Sequence, residues 1–93
     1  MLENLSPDQI DLLQKLVQAD KDGHKGTFFL KDTGAPVRKI LYYEDSNPPF
    51  EIQPVDKLNL EKLATEGFII KDEGYTVNGG FRGKLTQAGI DAF

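Results

Sequence analysis

The sequence predicts one small α+β domain, and three observations carry that expectation. Ile10, Leu13, Leu16 and Val17 recur at helical spacing behind a capping motif, so the chain opens with an amphipathic helix. Short aromatic and β-branched runs bounded by glycine, proline and Asp-Thr-Gly turns then read as strands. The last third, 58–93, reads LNLEKLATEGFIIKDEGYTVNGGFRGKLTQAGIDAF: a helix that ends at glycine, a hairpin, and the start of another helix. A chain of 93 residues has room for one layer of helices on one sheet. It should bury about 60–65% of its unfolded surface, which gives a modest core.

Leu5 to Gln9 spell a helix start. Ser6 is placed to cap, Pro7 takes the first helical position, and Gln9 closes a capping box, with Leu5 and Ile10 as its hydrophobic staple. Asp8 and Asp11 add negative charge where the helix dipole favours it. Leu12 and Ala19 widen the apolar stripe, and DKDGHKG at 20–26 ends the helix, with His24 expected in an exposed loop. Thr27 to Leu30 is short, aromatic and β-prone, so it reads as a strand. The 37–43 segment fits two templates: Val37, Ile40 and Leu41 mark a helical stripe, whereas Val37, Lys39, Leu41 and Tyr43 alternate as in a strand. Its β-branched and aromatic content favours the strand. SNPP at 46–49 forces an extended or turning backbone, and Phe50 to Gln53 can add an edge strand.

Asp56 or Asn59 caps the next helix, since Val55 with Leu60 and Leu58 with Leu63 each make a staple. Gly67 fits the stop. Leu60, Leu63 and Ala64 form its buried face, which leaves Lys57, Glu61, Lys62, Thr65 and Glu66 outward. Phe68 to Val77 and Phe81 to Leu85 read as strands joined by Asn78-Gly79-Gly80. With Val77 opposite Phe81, alternation puts Tyr75, Val77, Phe81 and Leu85 on one face and Thr76, Arg82 and Lys84 on the other. Thr86 caps a last helix of barely two turns, with Leu85 and Ile90 as staple, so it must pack here or continue in a longer parent chain.

Composition narrows the function classes. Cysteine is absent and His24 is the sole histidine, so thiol chemistry is excluded, little remains for a metal site, and no cofactor is expected. A net charge of −4 opposes non-specific attraction to polyanions unless one face is locally basic. No apolar run approaches the roughly 20 residues that span a bilayer, and Glu3 and Asp8 stand where a signal peptide is basic. The expected setting is the cytoplasm, away from membranes. DKDG at 20–23 has the look of a calcium loop, but the twelfth position from Asp20 is Lys31 and the glycine is fourth instead of sixth, so a solvated turn is the better reading.

LEKLATEGFI, a hairpin, and then LTQAGIDAF resemble the C-terminal half of winged helix-turn-helix domains. In that family a helix of the form LxxLxxxGxI precedes a two-stranded wing and LTxxGxxA. The resemblance covers 60–93, with Ser6 to Ala19 as a first helix. Between 26 and 55 the chain departs from it: the segment is strand-like and proline-containing where the family places the first helix of its helix-turn-helix pair. The resemblance implies a non-enzymatic domain that binds double-stranded DNA through the 56–66 helix and the 71–84 wing. Lys57, Asn59, Lys62 and Thr65 would face bases, and Lys71, Arg82 and Lys84 phosphates. Glu61 and Glu66 oppose that use, and the alternative implied is an acidic winged-helix module that recognises a protein partner or a second copy of itself. An enzymatic alternative is more remote. Asp32-Thr33-Gly34-Ala35 matches the DTGA of retroviral-type aspartic proteases, which share a proton between two such aspartates across a dimer. Lys31 stands where that family has an apolar residue, and Asp-Thr-Gly is also a common turn composition.

Overall fold

The computed structural model describes residues 2–32, 39–44, 50–52, 55–77 and 79–93, with the backbone alone at Asp32. After a short 3-10 turn, Leu2–Asn4, come α1 (Pro7–Lys21), β1 (Phe28–Asp32), β2 (Lys39–Tyr43), β3 (Glu51–Ile52), α2 (Lys57–Thr65), β4 (Ile69–Lys71), β5 (Phe81–Leu85) and α3 (Gln87–Ile90). The five strands form one antiparallel sheet in the order β3-β2-β1-β5-β4. The class is α+β, with three α-helices among the described residues. The ambiguous 37–43 segment is a strand over its described residues, 39–43, and within the expected 50–53 edge strand Glu51 and Ile52 form β3, while Gln53 lies outside the described residues.

Both long helices are closed at each end by their own sequence. The Ser6 hydroxyl accepts the Gln9 N–H at 3.3 Å, and the Gln9 side chain accepts the Ser6 N–H at 2.8 Å, which completes the capping box. At the other end the Gly23 N–H donates to the Asp20 carbonyl at 3.1 Å and the His24 N–H to the Ala19 carbonyl at 2.9 Å. This paired reverse bonding is a Schellman motif, and it needs the left-handed backbone that Gly23 adopts at φ 97°. α2 repeats the arrangement. Asp56, rather than Asn59, is the cap, with its carboxylate accepting the Leu58 N–H at 2.9 Å. Gly67 at φ 84° bonds back to Ala64 at 3.1 Å, and Phe68 to Leu63 at 3.0 Å.

The core lies on one side of the sheet. Leu13, Leu16 and Val17 of α1, Leu60 and Leu63 of α2, and Phe68 beyond it pack in one cluster with Phe28, Leu30, Leu41, Tyr43, Ile52, Ile69 and Phe81 from the strands. Strand alternation leaves Phe29, Lys31, Ile40, Tyr42, Ile70, Arg82 and Lys84 on the opposite face, none of them in that cluster. Thr86 joins the C-terminal elements. Its hydroxyl donates to the Gly67 carbonyl at 2.7 Å and accepts the Gly89 N–H at 3.2 Å, so one side chain caps α3 and holds the end of α2.

The hairpin corrects the expected 68–77 strand. β4 stops at Lys71, because the Asp72 carboxylate accepts the Gly74 N–H at 2.9 Å and the Asp72 carbonyl accepts the Tyr75 N–H at 3.1 Å. An Asx-type turn of this kind takes the backbone out of the ladder. A second turn, from the Gly80 N–H to the Val77 carbonyl at 3.0 Å, returns it to β5. Val77 is exposed and does not pair with Phe81; the observed partners are Ile69 with Leu85, Ile70 with Lys84 and Lys71 with Gly83. The register therefore differs from the expected one by an even number of residues, which leaves each β5 side chain on its expected face.

Candidate functional site

The seven residues singled out for nucleic-acid contact fall on two surfaces. Lys57, Lys62 and Thr65 are on α2, and Lys71 sits at the end of β4 on the helix side of the sheet, in register with the buried Gly83. Arg82 and Lys84 alternate with Phe81, Gly83 and Leu85, so they project from the opposite face. The helix and wing cations do not form one continuous stripe. Asn59 looks inward as well, with its side-chain oxygen accepting the Gln9 amide of α1 at 3.3 Å in a partly buried contact.

On the helix side the three candidate cations, Lys57, Lys62 and Lys71, each have an acidic neighbour. Glu61 lies 3.7 Å from the Lys57 ammonium, one turn before it, and 3.9 Å from that of Lys71, so one carboxylate joins helix and strand. Lys62 pairs with Glu66 at 3.4 Å, and Glu66 also accepts the Asn4 amide at 3.1 Å, which ties the N-terminal turn to α2. The Thr65 hydroxyl donates to the Glu61 carbonyl at 3.0 Å. Among these side chains Leu58 stands out, 72% exposed at the start of the helix.

On the open face Arg82 is held from both sides. Its Nε and Nη2 donate to the two Glu44 carboxylate oxygens at 2.8 and 3.1 Å, and its Nη1 donates to Asp72. The guanidinium fork suits such bidentate contact, and here it ties the end of β2 to β5 and to the turn after β4. Hydrogen bonds from Arg82 hold the Glu44 and Asp72 carboxyls below the ordinary carboxylate range, with the Gly74 N–H adding to the effect at Asp72. The same bonds push Arg82 further up, so its charge is permanent. Lys84 is exposed and makes no ion pair among the described residues.

No protein-family model, curated protein or solved structure matches this chain. Among the described residues no group of three histidine, aspartate or glutamate side chains is placed to hold a metal ion, and no helix is long and apolar enough to cross a membrane. Asp32 ends β1 opposite Lys39, and the rest of the DTGA stretch, 33–35, lies outside the described residues.

Sequence reasoning missed Glu44 and Asp72 as partners of Arg82. Asp72 could have been found by pairing Asp72 with Arg82 across the hairpin, but the assumed three-residue loop put Thr76 there. Glu44 is brought close only by the β2-β1-β5 order, a nonlocal fact with no local signal.

Proposed function

We propose that the chain is a non-enzymatic, winged-helix-like module that recognises another protein through the outer face of α2. The observation that carries this reading is the charge matching: Lys57, Lys62, Lys71 and Arg82 all lie against carboxylates of the chain itself. Binding to duplex DNA draws its affinity from Lys and Arg that neutralise phosphates, and these surfaces offer little positive excess. The segment between β1 and α2 adds support, since its described residues form β2 and β3 where a helix-turn-helix pair would need a helix. A charge-matched helix with a bare leucine suits protein contact better, because interfaces centre on apolar anchors with a polar rim.

Nucleic-acid binding is the second reading, favoured by the exposed Lys84 and by the looseness of the Lys57 and Lys71 pairs, which phosphates could displace. Fluorescence anisotropy with a labelled duplex at low ionic strength separates the two. Protein recognition predicts no saturable, salt-sensitive binding. It also predicts a nuclease-resistant partner that is captured by the intact chain and lost with Leu58→Asp, while the circular dichroism of the variant is unchanged. Salt-dependent DNA binding that weakens when Lys84 and Lys57 are replaced by glutamate would decide for nucleic acid.

A further inference from the structure

Beside the C-terminal turn of α1 lies a cavity of about 90 Å³, lined by Asp20, His24, Phe28, Tyr43, Leu85 and Ile90. Tyr43 is 5% exposed, and its hydroxyl is buried without a hydrogen-bond partner among the described residues. A native structure rarely leaves such a group unmet, because it bears the full penalty of leaving water. Asp20 stands at the same cavity. Its Oδ2 lies 3.3 Å from the Lys25 ammonium, a lysine whose side chain is 70% exposed, while the Asp20 side chain is only 19% exposed. Its Oδ1 accepts no hydrogen bond among the described residues. The walls are aromatic: Phe28 meets Tyr43 edge-on with centroids 5.5 Å apart, and His24 stacks flat on Phe50 at 4.0 Å. Lys84 also borders the cavity, but strand alternation sends its side chain to the open face, beside the groove formed with Ile70 and Arg82.

A partly buried carboxylate with one oxygen unpaired among the described residues, an unmet phenol oxygen and aromatic rings together suit a cation that donates hydrogen bonds. Ring faces attract cations, and a cation leaving water needs an anion to receive it. The volume admits a group of about three or four heavy atoms, since an apolar cavity of about 150 Å³ accepts the six of benzene. We propose that this cavity binds a primary ammonium group on a short alkyl stem, held by the Asp20 carboxylate and the Tyr43 hydroxyl against the rings of Phe28 and His24. Burial and the neighbouring Asp20 charge both push the Tyr43 hydroxyl up, so it serves the site as a neutral phenol. The site is independent of the α2 surface. Its ammonium can come from a free amine or from the lysine of a partner.

Titration of the ¹⁵N-labelled protein with ethylammonium chloride, against sodium chloride of equal ionic strength, tests it. The expected result is saturable shifts confined to amides around Asp20, His24, Phe28 and Tyr43. Affinity should fall about tenfold or more in Asp20→Asn and, separately, in Tyr43→Phe, which keeps the ring and therefore the packing. Shifts no larger than those of the sodium control mean that the cavity holds only ordered water and overturn the proposal. So does saturation that is unchanged in both variants. Acetyl-Gly-Lys-Gly-amide then distinguishes the source: tighter binding than ethylammonium assigns a partner's lysine, weaker binding a free amine, and the site stands in either case.

Discussion

Three of the N–H groups of Arg82 are committed to Glu44 and Asp72, and this changes what the residue does. It ties strand ends that belong to distant parts of the chain. Arg82→Met, which keeps much of the stem, should lower the urea midpoint at neutral pH. The sign of the pH dependence follows from the two carboxyls, both held low in the folded state. Between the folded and the ordinary values the unfolded chain binds protons that the folded chain does not, so stability rises with pH there and is lost on acidification. The gap between the natural protein and Arg82→Met should therefore be fully present above the ordinary carboxylate range and close as pH falls through the lowered values. It should also shrink in 1 M salt, since the groups are solvent-accessible. A gap that stays constant from neutral to acid pH in parallel urea titrations would show that Arg82 contributes packing alone.

At the scale of elements, the helices depend on local signals and the hairpin does not. Ser6→Ala removes one half of the capping box and should cost about 1 kcal/mol in a denaturant titration. Gly67→Ala forces a side chain into left-handed backbone and should cost about 1 kcal/mol or more in the same titration. Leu63 has no exposed surface, and Leu63→Ala should cost about 2–5 kcal/mol. These features could be read from the sequence because caps and stops act within a few residues. The choice between Asp56 and Asn59 could not, since both have the right chemistry and a staple; Asn59 is instead used by Gln9 on α1. The extent of the hairpin is hidden for a related reason. The Asn78-Gly79-Gly80 signal is real, but the earlier Asp72 and Gly74 turn already ends β4, and a run of β-prone residues does not show where pairing stops.

For the whole molecule, the alternation pattern gave the faces of β5 correctly, while the strand order was not accessible from sequence. That order sets Glu44 within reach of Arg82, while alternation along β5 parts Arg82 and Lys84 from the α2 cations. It has a further bearing on how the protein is made. The seam at the middle of the sheet joins β1 to β5, where Phe28 faces Gly83 and Leu30 faces Phe81, so an early segment must wait for a late one. During vectorial synthesis β1 has only β2 as a sheet neighbour until β5 clears the ribosome exit tunnel, so one edge of the central strand stays unpaired although β2, β3 and both long helices are already made. Nascent chains stalled with residue 80 outside the tunnel should be cut readily by protease within 27–32. Those stalled with residue 93 outside should resist, and equal sensitivity at both lengths would mean that the N-terminal half holds itself together without its late partner.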